Sequence, residues 1–181
     1  MLPEYFKLMY TADQIAEASA RLGAQIGKWA QSVYDKTKQD VIAIPVLRGG
    51  IFFFADLARQ VPTSLQVLPG RTRAYKDGIN AGQLEEVKVI LDSETLKGRS
   101  ILLVDDICDS GRTMHVLEKF ILEKGATEVK AAVMVHRVVE NEIYLPEWRG
   151  FEYEGKEWFV GYGMEDENRW VNLPNIYLIN K

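Results

Sequence analysis

Apolar residues along the chain occur in two patterns, one with helical spacing and one of short continuous runs. Between residues 11 and 34 they recur at intervals of three, four and seven, at Ile15, Leu22, Ile26, Trp29 and Val33. This spacing predicts an amphipathic helix that begins near Thr11 or Asp13. Its apolar face should pack against a sheet.

Two later segments repeat the order of an apolar strand, a turn that contains glycine, and a helix. The predicted bounds are 41–46, 47–50 and 51–60 in the first segment, and 101–104, 105–111 and 113–124 in the second. A further buried strand is predicted at 129–135. Because the strands are continuously apolar and alternate with helices, we expect an α/β fold with a mostly parallel sheet flanked by helices.

Outside these units the pattern is weaker. Segment 71–83 is polar, contains two glycines and shows neither a helical nor a strand period, so it is predicted to be a mobile lid loop. Short apolar runs at 158–162 and 176–179 predict two strands of a small hood, formed mainly by about 140–181. Without a repeat or a linker, residues 1–181 are expected to form one domain.

Composition narrows the classes of protein that fit this pattern. A chain of 181 residues with 47% hydrophobic residues suits one globular domain, and its longest apolar run is too short to cross a bilayer. A net charge of -4 disfavours general nucleic-acid binding. The amino end lacks a signal-like segment and Cys108 is the only cysteine, so we expect a cytoplasmic protein without an internal disulfide.

The second turn, VDDICDSGRT, carries the most informative chemistry. Its strand runs into Asp105 and Asp106, whose carboxylates can accept hydrogen bonds from sugar hydroxyls and help to hold magnesium. The helix start that follows offers backbone N–H groups to an anion, and Ser110 and Thr113 add hydroxyl donors. The alternative is that Asp109 and Ser110 only cap the helix.

This run resembles the 5-phosphoribosyl pyrophosphate signature of type I phosphoribosyltransferases. The resemblance implies a phosphoribosyl site formed by Asp105, Asp106, Ser110, Gly111, Arg112 and Thr113. Asp109 would exchange a proton with nitrogen 7 of the base. In this family a turn like the first one holds pyrophosphate, which here implies Leu47, Arg48 and Gly49, and the peptide bond before the basic residue can be cis.

The carboxyl-terminal half is similar to the hypoxanthine-guanine branch of the family, in the aromatic run 158–163 and the turn 172–174. The resemblance implies that Trp158 stacks on one face of a purine, that Ile107 packs on the other, and that the Phe159 backbone reads the edge of the base. Alternatively, these aromatic residues belong to an ordinary core.

Some positions depart from that branch. Ungapped matching places His136 where the branch has a lysine that donates to the base, and Arg137 should then point to the opposite strand face. Glu165 stands in place of an aspartate that helps to hold magnesium. Two further differences are Val171 in place of an arginine near pyrophosphate and Ala74 in place of a serine before Tyr75 of the lid.

Together these features predict a magnesium-dependent enzyme that transfers phosphoribosyl from 5-phosphoribosyl pyrophosphate to hypoxanthine or guanine, giving IMP or GMP and pyrophosphate. Asp105, Asp106 and Glu165 are the expected metal ligands, and a homodimer or homotetramer is the expected assembly. Two alternatives stay open. One is a xanthine-guanine phosphoribosyltransferase, and the other, suggested by Val171, is a non-catalytic regulator that binds phosphoribosyl ligands.

Overall fold

Ten strands and four helices follow one another in the computed structural model, which describes residues 2–68, 71–75, 86–90 and 93–180. Their order and bounds are β1 Lys7–Tyr10, α1 Ala12–Thr37, β2 Val41–Pro45, α2 Gly50–Gln60, β3 Leu65–Val67, β4 Arg71–Tyr75, β5 Glu86–Ile90, α3 Ser93–Leu96, β6 Ser100–Cys108, α4 Arg112–Glu123, β7 Glu128–Arg137, β8 Trp148–Tyr153, β9 Trp158–Val160 and β10 Ile176–Ile179.

The main sheet has five parallel strands in the order β3-β2-β6-β7-β8. Successive side chains of a strand point to opposite faces, so Leu102 packs in a core cluster with α1 and α2, whereas Leu103 packs in a second cluster with α4. Helices therefore cover both faces, and the predicted parallel sheet flanked by helices is confirmed. The carboxyl ends of its strands meet at one edge, where ligands bind in open α/β sheets.

The first helix begins where the sequence predicts. Thr11 is the N-cap of α1, and it forms a capping box in which its hydroxyl accepts from Gln14 N while Gln14 returns a bond to the Thr11 backbone. Leu22 and Ile26 on its apolar stripe are fully buried. This packing fixes α1 across the sheet and beside α2.

A second, three-stranded sheet has the antiparallel order β1-β10-β9. We call it the hood sheet. It differs from the predicted hood of about 140–181 in two ways. The hood sheet includes the amino-terminal strand Lys7–Tyr10, and Trp148–Tyr153 joins the main sheet instead. Ile176 and Phe159 of the hood sheet share the larger core cluster with α1 and the main sheet. The interpretation of residues 1–181 as one domain agrees with this packing and stays a prediction.

The segment predicted as a loop at 71–83 begins with a strand. Residues Arg71–Tyr75 pair antiparallel with Glu86–Ile90, and this pair forms a two-stranded sheet of its own. The prediction of a loop was therefore wrong for residues Arg71–Tyr75. Their strand depends on pairing with a second segment, which the composition of the first segment alone does not show. Ala74 and Tyr75 end this strand, and residues 76–83 lie outside the described part. Among the described residues, no helix is both long and apolar enough to cross a membrane.

Candidate active site

A cavity of about 910 Å³ opens between the carboxyl edge of the main sheet and the hood sheet. Nine of the predicted site residues line it, namely Leu47, Arg48, Gly49, Asp106, Ile107, Asp109, Trp158, Phe159 and Glu165. Its other walls come from Ile51, Phe52, Arg137, Gly163, Met164, Asn168 and Val171. The structure thus brings together the glycine turn after β2, the acidic end of β6 and the aromatic strand β9, which lie far apart in sequence.

The acidic pair lies within β6, which continues to Cys108 rather than ending at Val104 as predicted. The Asp106 N–H donates to Asp105 Oδ1 at 2.9 Å, and the Ile107 N–H donates to Asp106 Oδ1 at 2.8 Å. Burial raises the pKa of Asp105 well above its usual range, and the adjacent Asp106 carboxylate raises it further. Burial also raises the pKa of Asp106. Two carboxyls in this environment favour a bound cation or a hydrogen-bond donor.

The glycine turn after β2 rests on the Asp106 carboxylate. A Cβ atom on Gly49 would overlap with Asp106 Oδ2, so only glycine lets the turn approach so closely. The Leu47-Arg48 peptide bond is cis, and the Gly50 N–H donates to Val46 O at 3.1 Å. The main chain of the glycine turn and the acidic end of β6 are therefore in direct contact, an arrangement that suits an anion bound together with a metal ion.

Arg48 projects from this turn across the mouth of the cavity. Its side chain is 78% exposed, and one guanidinium nitrogen donates to Glu165 Oε2 and to Asn168 Oδ1, each at 3.1 Å. Asn168 was not predicted from the sequence, because this contact joins residues 120 positions apart. An exposed guanidinium held over a cavity is well suited to bind an anionic ligand.

The expected metal set of Asp105, Asp106 and Glu165 is not preassembled. Within residues 2–68 and 95–180, whose side chains are described, no three His, Cys, Asp or Glu residues are close enough together to hold a metal. Glu165 instead pairs with Arg48. Asp105 and Asp106 still fit magnesium, because this ion is commonly bound by one or two carboxylates together with substrate phosphates and water.

The start of α4 is open toward an anion. Its N-cap is Gly111, with φ of +78°, and no side chain makes a cap hydrogen bond there. The alternative that Asp109 and Ser110 merely cap the helix is therefore wrong. Asp105, Ser110, Gly111, Arg112 and Thr113 do not line the main cavity, but the last four follow Asp109 directly and form the adjoining start of α4. We call residues 108–113 the phosphate turn.

The aromatic wall of the cavity comes from β9 and its neighbours. Trp158 is 46% exposed, and its Nε1–H donates to Glu165 O at 2.8 Å, which fixes the indole ring beside the hood turn. Phe159 is buried, with its ring 4.9 Å from that of Tyr153. Ile107 lies in the same cavity. Trp158 and Ile107 therefore line one cavity, and their contact with the two faces of a purine stays a prediction.

Arg137, and not His136, reaches the cavity, so the expectation that Arg137 points away from it was wrong. Met134 and Val135 are consecutive and yet pack in the same core cluster, so the alternation of faces changes phase there. His136 is consequently buried on the opposite face, with Nε2 3.4 Å from Glu142 Oε2. Its assignment to the base site is corrected accordingly.

The Arg137 side chain is held on three sides. It donates to Asp109 Oδ1 and to the Gly155 carbonyl, and its Nη2 donates to Glu157 O at 3.0 Å. Its guanidinium also lies 5.1 Å from the centre of the Phe159 ring. The Arg137 guanidinium therefore lies between Asp109, at the end of β6, and the ring of Phe159 in the aromatic wall.

These features define a class of α/β protein with a cavity at the carboxyl edge of a parallel sheet, lined by a glycine turn, an acidic strand end and aromatic side chains. The sequence model of the phosphoribosyl transferase domain matches residues 11–167 of the chain. The chain belongs to the phosphoribosyltransferase family.

Individual relatives agree with this assignment. The chain is 31% identical to a hypoxanthine-guanine phosphoribosyltransferase of Lactococcus lactis over 175 residues, which cover 94% of this chain and 88% of the relative. It is 29% identical to a hypoxanthine phosphoribosyltransferase of Escherichia coli K12 over 163 residues, 89% of each chain. A Streptococcus pneumoniae R6 hypoxanthine-guanine phosphoribosyltransferase is 28% identical, with 97% and 93% covered.

Solved structures support the same fold. A hypoxanthine phosphoribosyltransferase of Trypanosoma cruzi superposes with a TM-score of 0.82 at 20% identity, and 99% of this chain and 94% of that chain are covered. A hypoxanthine-guanine phosphoribosyltransferase of Bacillus anthracis gives a TM-score of 0.78 at 24% identity, with 98% and 100% covered.

Proposed function

We propose that this protein is a hypoxanthine-guanine phosphoribosyltransferase, which transfers phosphoribosyl from 5-phosphoribosyl pyrophosphate to hypoxanthine or guanine. The observation that carries the proposal is the single cavity that joins the Arg48-Gly49 turn, the Asp106–Asp109 strand end and the aromatic wall at Trp158. In this proposal the Arg48-Gly49 turn binds pyrophosphate, the Asp106–Asp109 strand end binds the sugar phosphate, and the aromatic wall binds the base.

Base recognition is assigned to Arg137 and the aromatic wall. A six-oxo purine stacked between Trp158 and Ile107 would present its oxo group as an acceptor, and a guanidinium donates well to such an oxygen. The contacts with Gly155 and Glu157 carbonyls already fix the direction of the Arg137 side chain. A fixed donor favours six-oxo over six-amino purines, because an amino group would set donor against donor.

The reaction displaces pyrophosphate from the anomeric carbon by a purine nitrogen. Asp109 lies beside Arg137 at the base end of the cavity, where its carboxylate can exchange the proton on nitrogen 7. Arg48 and the Gly49 turn stabilise the negative charge of the leaving pyrophosphate. Held by Asp105, Asp106 and substrate oxygens, magnesium would supply further neutralisation of this charge. The phosphate turn holds the terminal phosphate and so positions the sugar.

Initial rates of pyrophosphate release test the proposal. The parent protein should turn over hypoxanthine and guanine in the presence of magnesium, turn over xanthine and adenine poorly, and lose activity when the metal is chelated. Preference for xanthine would indicate the xanthine-guanine alternative. Binding of 5-phosphoribosyl pyrophosphate without turnover of any purine would indicate a regulator.

Three finer features also belong to this proposal. We propose that Tyr75 and the segment after it close over the reactants, as the sequence pattern suggests. A homodimer or homotetramer is proposed from the family, and light scattering coupled to size-exclusion chromatography tests it. A cytoplasmic location is proposed from the family and the single buried cysteine, and localisation of a tagged chain in cells tests it.

A further inference from the structure

A histidine that the proposed reaction does not use lies buried beside the phosphate turn. His136 is 2% exposed and pairs in register with Cys108, the first residue of that turn. Its Nε2 is 3.4 Å from Glu142 Oε2, whereas Nδ1 is buried and has no hydrogen-bond partner in the described part of the chain. Glu142 is therefore the acidic group that lies against this buried imidazole.

Glu142 belongs to segment 138–147, which we call the bracing loop because it packs against the main chain of the phosphate turn. The Ile143 N–H lies 3.5 Å from Ser110 O, and the Tyr144 carbonyl is 4.0 Å from Cys108 Sγ. Atoms of Tyr144 also stand 2.7 to 2.9 Å from the place that a Cβ on Gly111 would occupy. The bracing loop thus contacts the phosphate turn at Cys108, Ser110 and Gly111.

Each end of the bracing loop is anchored to the main sheet. The Val138 N–H donates to Tyr153 O at 2.9 Å, and Glu147 Oε2 accepts from Ala131 N at 2.9 Å. Between these ends, Glu142 reaches inward to His136, one residue before the loop meets the turn at Ile143 and Tyr144. Loss of this middle attachment would free the part of the loop that supports the turn.

We propose that His136 and Glu142 are positioning residues for the sugar phosphate, which act through the bracing loop to hold the backbone N–H groups of the phosphate turn in place. They would not touch the substrate. The inference rests on the proposed function of the phosphate turn, and it gives His136 a role in sugar-phosphate affinity instead of base recognition. A displacement of about 1 Å can lower the rate of an enzyme up to about a hundredfold, so a small movement of the turn is enough for a measurable effect.

Calorimetry with two separate ligands tests the proposal. In Glu142→Ala, affinity for ribose 5-phosphate should fall about tenfold while affinity for magnesium pyrophosphate stays unchanged, because pyrophosphate binds at the Arg48 turn. The KM for 5-phosphoribosyl pyrophosphate should rise with little change in kcat or in the KM for hypoxanthine. Glu142→Gln keeps an oxygen that accepts from imidazole, so it should restore most of the affinity.

Matched variants separate this role from a general loss of structure. Glu140→Ala removes the same charge from an exposed position of the same loop and should leave both affinities unchanged. His136→Gln should reproduce the loss seen in Glu142→Ala, and the two losses should not add in the double variant.

Three results would overturn the inference. One is unchanged ribose 5-phosphate affinity in both Glu142→Ala and His136→Gln, with normal thermal unfolding. Another is an equal loss of affinity for ribose 5-phosphate, pyrophosphate and hypoxanthine, which would indicate a purely structural effect. If the parent protein itself bound no ribose 5-phosphate, the proposed function would fail and this inference with it, whereas normal parent binding with unaffected variants rejects only the inference.

Discussion

Arg137 donates from Nε to Asp109 Oδ1, so the proposed base reader and the proposed proton acceptor are in direct contact. The Arg137 side chain is 11% exposed, whereas that of Asp109 is 56% exposed. The buried partner is thus held by protein carbonyls while the acid keeps a free edge toward the cavity. This arrangement lets one residue orient the base while the other exchanges its proton.

We predict that Asp109→Asn will lower kcat by about 100 to 10,000-fold, the usual range for loss of acid or base help. The amide keeps an oxygen for Arg137 but cannot accept a proton at neutral pH. Affinity for 5-phosphoribosyl pyrophosphate, measured by calorimetry, should stay near that of the parent. Near-normal turnover in this variant would remove Asp109 from the proton-transfer role.

Removal of the hydroxyls from the phosphate turn should weaken binding of 5-phosphoribosyl pyrophosphate more than binding of purine. We expect about 1.5 to 3 kcal/mol for each of Ser110→Ala and Thr113→Ala, because each loses a hydrogen bond to a charged group. Thr127→Ala is the control, since that hydroxyl donates to Arg99 O away from the cavity. If calorimetry gave parent-like affinity in both turn variants, the phosphate would have to bind elsewhere.

Base choice should depend on Arg137. We predict that Arg137→Ala will lower kcat/KM for hypoxanthine by about 10 to 150-fold, the effect of losing a charged hydrogen bond of about 1.5 to 3 kcal/mol. The ratio of variant to parent should be the same at pH about 6 and about 8, because a guanidinium stays charged throughout this range. Arg137→Lys should lose less than Arg137→Ala.

A comparison with His136→Gln completes this test. That variant should affect the KM for 5-phosphoribosyl pyrophosphate and leave the preference among purines unchanged. A change of purine preference in His136→Gln, with parent-like behaviour of Arg137→Ala, would contradict the assignment of the base reader.

The helices and the strands of the main sheet could be predicted where burial is regular. In α1 the buried stripe through Leu22 and Ile26 produces the helical period directly, and in β2 all five residues are buried, which gives a continuous apolar run. By contrast, β8 is mostly half-buried and β1 is largely exposed, so neither has a clear pattern. Their place in a sheet depends on partners that lie far away in sequence.

The site could be predicted as far as its local motifs extend. Asp106, Asp109 and Gly49 lie in short sequence motifs, and these motifs predict their chemistry without the tertiary structure. The sequence does not predict that Arg137 reaches the cavity in place of His136. Met134 and Val135 are both apolar, so the sequence does not show that these consecutive residues face the same side of the sheet. The pairing of Arg48 with Glu165 spans 117 positions and depends on the hood sheet.

Gly111 offers a test of how closely the phosphate turn is packed. Its φ is +78°, and a Cβ there would lie 2.7 Å from Tyr144 Cβ, whereas Gly98 has a similar φ of +72° with nothing within 4 Å of a Cβ. Both alanine variants therefore incur the backbone strain of about 1 to 2 kcal/mol, but only Gly111→Ala also crowds its surroundings, at a further cost of about 1 to 3 kcal/mol.

We predict that chemical denaturation will show a smaller free energy of unfolding for Gly111→Ala than for Gly98→Ala, by that further amount. Affinity for ribose 5-phosphate should fall only in Gly111→Ala, because Tyr144 and the turn must move apart to admit the methyl group. The difference between the two variants separates the effect of crowding from that of backbone strain, since the two residues have similar positive φ angles. If the two variants had equal free energies of unfolding and equal affinities for ribose 5-phosphate, Tyr144 would move aside without cost. The bracing loop would then not hold the phosphate turn in place.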